Sequence, residues 1–370
     1  MKRTNIIIAA VAIVAVLVVA GLLIAFVPQT SAKTIKYTDV PPVNQQAYIQ
    51  QGLIDGGVSW EPYGSDSISN GTGKALLWSS DIWPNHPCCV VVVDKDFLAS
   101  NLQAALGVMK AHIEANKWIA QTIANKNTTE GQANYSLLLN LGASFSNRNT
   151  TVVEMSLEHL TLDYNITEEQ TNYLKTFVES YISSGLIKKE VIPDVDAFVN
   201  NLVNTSYLTQ ADNMQPVASG SAPTTVRLGY LNGDLHQFAR VVAESAAVGN
   251  LLNLGDRSLF NAYGVQTANP SGMPGNGYAN GGAVMTGFAA KNADIGYLGA
   301  PPVLLNVANQ NVNVEIVALA NSEGSALIVK NGVDIEGLNG LKIGEPGISS
   351  IQYLLLLEIG KKYGYQVVKA

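Results

Sequence analysis

Residues 52–63 read Gly-Leu-Ile-Asp-Gly-Gly-Val-Ser-Trp-Glu-Pro-Tyr, and residues 81–93 read Asp-Ile-Trp-Pro-Asn-His-Pro-Cys-Cys-Val-Val-Val-Val. The first stretch predicts a β-strand that ends at Glu61-Pro62, because proline removes a backbone donor and fixes φ. The second predicts a strand buried on both faces, since its later part is a continuous β-branched run. Aromatic and polar residues lie between the two strands. Because ligands of open α/β sheets bind outside the carboxyl ends of strands, we interpret this region as one wall of a small-molecule cleft.

The rest of the chain predicts an α/β fold. Apolar residues recur at helical spacing over residues 97–124, 130–141, 167–184 and 194–203. Thr167-Glu-Glu-Gln is typical of a capping box, which places a helix start at Thr167. Residues 208–225 are small, polar or proline without a period, so we expect a linker there. From Val226 to Tyr363 predicted strands alternate with predicted helices, which indicates parallel sheet with right-handed crossovers. One of these helices is predicted from His236 to Ala247, and another follows the glycine- and asparagine-rich residues 269–282 and ends near Ala290.

The first residues predict a signal or anchor segment, residues 1–32. Residues 6–27 are apolar without interruption and follow Lys2 and Arg3. A membrane-spanning helix needs ~20 apolar residues, and basic residues stay on the cytoplasmic side, so we expect the rest of the chain outside the cytoplasm. Small residues at 30–32 also suit cleavage as a signal peptide. A retained anchor and secretion after cleavage are both open.

Composition and motifs exclude several classes of function. The net charge is −7 and charged residues make up 14% of the chain. Nucleic-acid binding is therefore not expected, because it requires a basic face. The sequence has no nucleophile elbow, no Cys-x-x-Cys and no His-x-x-x-His. We predict no catalytic residues, no metal site and no cofactor.

The only two cysteines, Cys88 and Cys89, are adjacent. We interpret them as reduced thiols in the core of a hinge strand, with side chains pointing to opposite faces. A strained vicinal disulfide is the alternative, because an ordinary disulfide needs Cα atoms ~4.4–6.8 Å apart. His86 with Cys88 would supply two metal ligands, too few for a zinc site.

Three turns in the second half resemble one another. They read Gly229-Tyr-Leu-Asn-Gly-Asp, Gly296-Tyr-Leu-Gly-Ala-Pro-Pro and Glu345-Pro-Gly-Ile-Ser-Ser. Each joins a predicted strand to a predicted helix, whose free N–H groups bind carboxylate, sulfonate or phosphate oxygens. Any one turn is also explained as an ordinary strand-to-helix connection. Three in one sheet favour an oxyanion-binding cleft.

These residues resemble the substrate-binding proteins of nitrate/sulfonate/taurine-type ABC importers. Residues 294–302, 318–330 and 337–347 resemble the N-terminal half of that family, and residues 52–63 and 81–93 resemble its middle segment. The resemblance implies a type II periplasmic-binding-protein fold, with two α/β lobes and a ligand cleft at the hinge. It also implies a non-enzymatic protein that delivers a small solute to ABC permease and ATPase subunits.

The two halves stand in the reverse of the family's order, which predicts a circular permutation. Residues 33–207 resemble the C-terminal half, with second-lobe strands followed by first-lobe helices. Residues 208–225 would be the linker, and residues 226–370 resemble the N-terminal half, with the first lobe followed by the start of the second. Permutation predicts that Ala370 and Thr34 lie ~7–11 Å apart, the reach of two or three residues. A decayed gene or one assembled from two neighbouring copies is the alternative.

Analogy with that family places ten residues at the cleft. They are Gly233, Asp234, Leu298, Gly299, Asn321, Ser322, Ser349, Ser350, Glu61 and His86. None is lysine or arginine, and two are acidic, so we predict a solute with an anionic head and a cationic or hydrogen-bond-donating part, such as an amino-sulfonate. The alternatives are a ligand-sensing domain or an enzyme resembling the thiamine-pyrimidine synthases, which share the fold but carry a longer cysteine cluster.

Overall fold

The computed structural model describes residues 32–370, apart from the side chain of Glu130. The membrane helix predicted at residues 6–27 lies outside the described residues. Between residues 32 and 370, no helix has the length and apolar character needed to span a bilayer.

Twelve strands are present in the described residues. They are β1 (Thr34–Asp39), β2 (Gly56–Trp60), β3 (Lys74–Trp78), β4 (Pro87–Asp94), β5 (Leu160–Thr161), β6 (Thr224–Gly229), β7 (Val265–Ala268), β8 (Ile295–Gly299), β9 (Val314–Glu323), β10 (Ser325–Val329), β11 (Lys342–Glu345) and β12 (Gln366–Lys369). Most coincide with the apolar runs of the sequence, because β-branched segments bounded by glycine, proline or asparagine fit a buried sheet.

Fifteen α-helices accompany these strands in the same part of the chain. They are α1 (Pro42–Gln50), α2 (Tyr63–Ser69), α3 (Lys95–Ser100), α4 (Leu102–Ala124), α5 (Thr129–Ser146), α6 (Thr150–Leu157), α7 (Glu168–Ser183), α8 (Val195–Leu202), α9 (Ser206–Asp212), α10 (Phe238–Ala243), α11 (Ala246–Leu251), α12 (Leu259–Ala262), α13 (Gly281–Ala289), α14 (Ala300–Gln310) and α15 (Ile351–Tyr363). The capping box predicted at Thr167 is present: its hydroxyl accepts from the Gln170 N–H, and the Gln170 side chain accepts from the Thr167 N–H. This confirms the predicted start of α7.

The strands form two six-stranded mixed sheets. The first has the order β12-β1-β11-β2-β10-β3 and the second the order β5-β9-β4-β8-β6-β7. Each sheet takes strands from both halves of the chain. Two mixed α/β sheets are consistent with the predicted two-lobed binding-protein fold. The expectation of purely parallel sheet was wrong, because β4 and β10 enter their sheets directly from the other sheet and run antiparallel to their neighbours.

The chain crosses between the sheets at two places. Between β3 and β4 it passes through residues 79–86, and between β9 and β10 it crosses at the single residue Gly324. Gly324 has φ +81°, a conformation that side chains rarely adopt. Its carbonyl accepts the N–H of Glu61, at the end of β2 (3.0 Å). The two crossings and the end of β2 therefore lie together.

The largest hydrophobic core lies around the second sheet. All eight residues of β4 are buried, as the sequence predicts for a strand covered on both faces. The helices α4 and α7 pack their buried faces into this core. The first sheet has two smaller cores, one centred on β11 with α15 and one on β10 with Val40, Ile49 and Ile54, which flank and end α1.

Two predictions of local structure need correction. Residues 208–212 belong to α9, where Leu208 and Ala211 are buried, so the irregular and mostly exposed stretch is only 213–223. The helix predicted from His236 to Ala247 is interrupted, and Ser245 caps a second short helix. The sequence could not separate these helices, since apolar residues continue through the break.

The predicted short connection between the ends of the two half-sequences was also wrong. β12 runs parallel to β1, with Gln366 opposite Thr34, and the N–H of Ala370 donates to the carbonyl of Tyr37. Ala370 therefore lies about four residues further along, roughly 13 Å in the strand direction from Thr34. Neighbouring parallel strands cannot be joined by two or three residues.

Candidate functional site

A small cavity lies where the two sheets meet. It has a volume of about 20 Å³, enough for one water molecule. Its lining residues are Trp60, Cys88, Cys89, Leu231, Asp234, His236, Asn280, Gly281, Gly299, Pro302, Pro346, Ser349, Ser350, Ile351 and Gln352. A wider groove of about 820 Å³ runs along α4 and α5, but it is open to solvent and is not formed by strand ends. The small cavity matches the position in which α/β proteins bind ligands.

Three helices begin at the wall of this cavity. Asn280 caps α13 by accepting the N–H of Ala283, and Ser350 caps α15 by accepting the N–H of Tyr353. Gly299 ends β8 and directly precedes α14. Helix N-termini carry a partial positive charge. Those of α13 and α15 also have free N–H groups, whereas Pro301 and Pro302 remove two from the first turn of α14. Their convergence provides a setting for negatively charged oxygens without lysine or arginine.

The charged groups of the wall are unusual for an anion site. No lysine or arginine is among the lining residues, whereas Asp234 is buried there. Burial raises the pKa of Asp234 to about 6, against the opposing effect of His236. Its Oδ1 accepts the backbone N–H of His236 at 2.9 Å. A bound solute therefore meets a carboxyl group as well as the helix N-termini.

Both cysteines line the cavity on the same side as His236. The sulfurs of Cys88 and Cys89 lie 3.1 and 3.9 Å from His236 Nδ1. Both thiols are free and buried, as predicted, but the prediction that they point to opposite faces was wrong. The pairing of β4 with β9 shifts register on both sides of Cys89, and such a bulge breaks the strict alternation of side chains.

The cysteines and the histidine shift each other's ionisation. Burial opposes ionisation of Cys88, but the hydrogen bond from Cys89 and the nearby His236 outweigh it and lower the pKa of the Cys88 thiol well below its usual value. Burial also opposes protonation of His236, yet Cys88 and Asp234 raise its pKa to about 10. Burial and the neighbouring Cys88 raise the pKa of Cys89. These shifts favour a proton on His236 and disfavour one on Cys88.

Four of the ten predicted cleft residues line the cavity: Asp234, Gly299, Ser349 and Ser350. Leu298 is fully buried in β8, and Gly233 directly precedes Asp234. Ligand contact by these residues stays a prediction.

The other four predicted residues serve mainly as supports. Asn321 accepts the N–H of Cys89, and Ser322 accepts from Gln170 (2.8 Å). Glu61 is fully buried and accepts from the Ser65 N–H (3.1 Å) and from the hydroxyls of Ser65 and Ser156 (both 2.9 Å).

Two of these supports hold buried ionisable groups. Burial raises the pKa of Glu61, although its three hydrogen bonds oppose the shift. Burial lowers the pKa of His86, whose Nδ1 lies 2.6 Å from the carbonyl of Trp83. Neither residue lines the cavity, and both fix the end of β2 and the first crossing. Their contact with a solute stays a prediction.

Sequence reasoning missed His236, Asn280 and Gln352 as members of the site. His236 lies two residues after Asp234, a predicted site residue, in the turn that begins at Gly229. This closeness in sequence was the signal that could have placed it in the site. Asn280 lay in a glycine- and asparagine-rich stretch just before a predicted helix, which is the pattern of an N-cap. No pattern in the sequence marks Gln352 or the bulge that turns both cysteines inward.

Glu345, at the end of β11, predicts a pH dependence of stability. It is fully buried, lies opposite Asp39 of β1, and accepts the N–H of Gly347 at 2.7 Å. Burial and the neighbouring Asp39 raise its pKa to about 8, from 4.5. The native state therefore holds a proton that the unfolded chain has lost between these pH values. This group's contribution is fully present below pH 4.5 and is lost as the pH rises towards 8, by about 1.4 kcal/mol per pH unit.

We expect Glu345→Gln to remove this dependence. Glutamine is neutral, can accept from Gly347 and can donate to Asp39, so the variant gains stability relative to the wild type as the pH rises from 5 to 8. Thermal denaturation at several pH values measures the difference. Glu179→Gln, on the exposed face of α7, is the matched control and should follow the wild type. Parallel curves for the wild type and Glu345→Gln would contradict the prediction.

Comparison with known proteins gives matches to parts of the sequence. Residues 10–131 match the NMT1-like family, and this interval contains both stretches quoted at the outset. The nitrate/nitrite binding protein NrtA of Nostoc sp. is 27% identical over 79 residues, which are 21% of this chain and 18% of that protein. The bicarbonate transport ATP-binding protein CmpC of Synechocystis sp. is 30% identical over 81 residues, 22% of this chain and 12% of that protein.

The chain thus matches less than a fifth of the length of either relative. No solved structure gives a match. The names of the two relatives describe nitrate/nitrite binding and bicarbonate transport.

Proposed function

We propose that this chain is an extracytoplasmic solute-binding protein that delivers a small oxyanion-bearing solute to an ABC importer. The observation that carries the proposal is the convergence of three helix N-termini on a cavity at the junction of the two sheets. The comparisons support the class. The nitrate, sulfonate and taurine solutes come from the resemblance, and the permease and ATPase partners are proposed on the same basis.

Solute entry requires the two sheets to separate. The cavity of about 20 Å³ is too small for a sulfonate or nitrate together with its contacts. The chain connects the sheets through residues 79–86 and through Gly324 only. Small backbone rotations at such inter-lobe segments are how two-lobed binding proteins open and close around ligands. We propose that opening at these crossings admits the solute and closing buries it.

The lining predicts which solute binds best. Asp234 is acidic, no lysine or arginine lines the cavity, and His236 is already paired with Cys88 and Asp234. A simple anion therefore gains mainly from the helix N-termini and is opposed by the carboxylate. A solute with both a sulfonate and an amine can satisfy both groups. We expect the purified protein to bind taurine at least about tenfold more tightly than nitrate or ethanesulfonate, in isothermal titration calorimetry at pH 7.5.

Ethanesulfonate is the matched control, because it keeps the sulfonate and lacks the amine. Nitrate as the tightest ligand would contradict the predicted solute but not the function. If taurine, ethanesulfonate and nitrate all gave neither a heat of binding nor a rise in the melting temperature, the proposed function would be contradicted. A solute at 100 times its Kd adds about 2.7 kcal/mol of stability, which such a measurement would detect.

The order of the two halves and the N-terminal segment are further proposals. Permutation is supported by the resemblance of residues 226–370 and 33–207 to successive halves of the family, and by the mixing of both halves in each sheet. Because β12 and β1 are parallel neighbours, it requires that the original connection between these ends was longer than two or three residues. An anchor or signal function for residues 1–32 rests on their apolar sequence. Size measurement of the purified protein separates a permuted monomer from a dimer with exchanged halves.

A further inference from the structure

We propose that Cys88, Cys89 and His236 form a binding site for a thiophilic metal ion such as Zn²⁺, in the wall of the cavity. The inference goes beyond the proposed function and does not depend on the identity of the solute. It rests on the distances between the three side chains, on the bulge that brings the sulfurs together, and on the hydrogen bonds that orient the histidine.

The spacing of the three donor atoms is close to that of a metal site. Cys88 Sγ, Cys89 Sγ and His236 Nδ1 all lie within 4.8 Å of one another. The two sulfur-to-nitrogen distances are 3.1 and 3.9 Å. Tetrahedral zinc with bonds of ~2.3 Å to sulfur and ~2.0 Å to nitrogen places such donors ~3.5 Å apart. The sulfur-to-nitrogen distances of 3.1 and 3.9 Å lie on either side of this value.

The backbone is arranged to turn both sulfurs to one side. Adjacent strand residues normally alternate, and the shifts of register around Cys89 break that alternation. Instead of a regular ladder contact, the Cys89 N–H donates to the side chain of Asn321 at 3.0 Å. Asn321 is itself fully buried and donates to the carbonyls of Ser322 and Glu323. A buried asparagine therefore holds the bulge that pairs the thiols.

The histidine is oriented as metal-binding histidines are. Its Nε2 lies 2.8 Å from the carbonyl of Gly324, to which it donates, so Nδ1 faces the sulfurs. A backbone carbonyl on the second ring nitrogen fixes the ligating nitrogen in this way. Asp234 accepts the His236 backbone N–H, and its Oδ2 lies 3.8 Å from Cys89 Sγ. It is a positioning residue beside the site.

Two buried thiols that served only as apolar core residues would not need His236 and Asp234 beside them. All four side chains, the two cysteines with Asp234 and His236, are at most 2% exposed. Grouping an imidazole, a carboxyl and two thiols away from water is costly unless they are bound to one another or to an ion. The adjacent cavity leaves a fourth coordination position facing the cleft, as in sites that bind a water or an anionic ligand.

The test uses the purified full-length protein, reduced and freed of metal with a chelator. Titration with Zn²⁺ against a chromophoric chelator should show one equivalent bound. Co²⁺ in its place should give a thiolate-to-cobalt charge-transfer band, and bound Zn²⁺ should slow alkylation of both thiols. Cys88→Ser and Cys89→Ser should each weaken binding at least about 100-fold, and His236→Gln and Asn321→Ala at least about tenfold.

His159→Gln is the matched control, because His159 is half-buried against Trp78, outside the cluster, and its loss should leave binding unchanged. Absence of stoichiometric Zn²⁺ binding, or a Co²⁺ complex without a thiolate band, would overturn the proposal. The Zn²⁺ titration and the Co²⁺ spectrum are both measured on the wild-type protein, so the outcome does not depend on whether a variant folds. Failure of every solute in calorimetry would leave the Zn²⁺ titration unaffected, which separates this site from the proposed function.

Discussion

Replacing Gly299 by leucine should weaken solute binding at least about 100-fold while leaving the protein folded. Gly299 lies between β8 and α14 with φ −56° and ψ 141°, which any residue can adopt. A Cβ at this position would meet Pro302 at 3.4 Å and the carbonyl of Cys88 at 3.8 Å, which is ordinary contact. The rest of a leucine side chain must enter the cavity of about 20 Å³, which cannot hold it together with a solute.

The matched variant is Gly299→Ala, whose single methyl group should lower affinity less than about tenfold. Calorimetry with the tightest-binding solute gives the affinities, and thermal denaturation without solute shows that both variants fold. Full affinity in Gly299→Leu would place the solute elsewhere in the molecule and would contradict the proposed site.

Replacing Gly324 by alanine should destabilise the protein by about 2–4 kcal/mol. Two effects add. The positive φ of +81° costs an alanine about 1 kcal/mol. A Cβ there would also collide with Leu160 and with the ring of His236, and overpacking of this kind costs about 1–3 kcal/mol. The collision occurs at the crossing between the sheets, where neither backbone nor histidine can move freely.

Gly332→Ala separates the two effects. Gly332 also has a positive φ, +91°, but a Cβ there meets nothing within 4 Å. It should therefore lose only the backbone contribution, about 1 kcal/mol. Urea denaturation of the two variants and the wild type measures the difference. Equal losses at both positions would show that the crossing tolerates a side chain and that the predicted collision is absent.

Much of the sheet structure could be predicted from the sequence. The continuous valine run of β4 and the proline after Glu61 are local signals, because burial on both faces and loss of a backbone donor act on the residues themselves. The start of α7 was equally local, since Thr167 and Gln170 satisfy each other's backbone groups. The helix N-termini at Gly299 and Ser350 followed from strand-to-helix turns, and both line the cavity.

The chemistry of the site was less accessible. The proximity of His236 to the cysteines depends on residues 148 positions apart in the chain. The bulge at Cys89 depends on the Asn321 side chain, 232 positions away. Side chains along a regular β-strand alternate between its faces, which predicts opposite faces for Cys88 and Cys89. Only the long-range contact with Asn321 places both sulfurs on one side. The short helix at residues 206–212 was missed because its buried contacts, too, come from distant elements.

The interleaving of distant strands has a consequence for biosynthesis. The neighbours of β2 in the first sheet are β10 and β11. The residues of β2 therefore cannot form their strand pairing until residues 325–345 have been synthesised. During translation, the early strands leave the ribosome long before their partners exist. Such long-range pairing slows folding and leaves strand edges exposed. We therefore expect the nascent chain to depend on chaperone protection, or on export in an unfolded state, until the final strands are made.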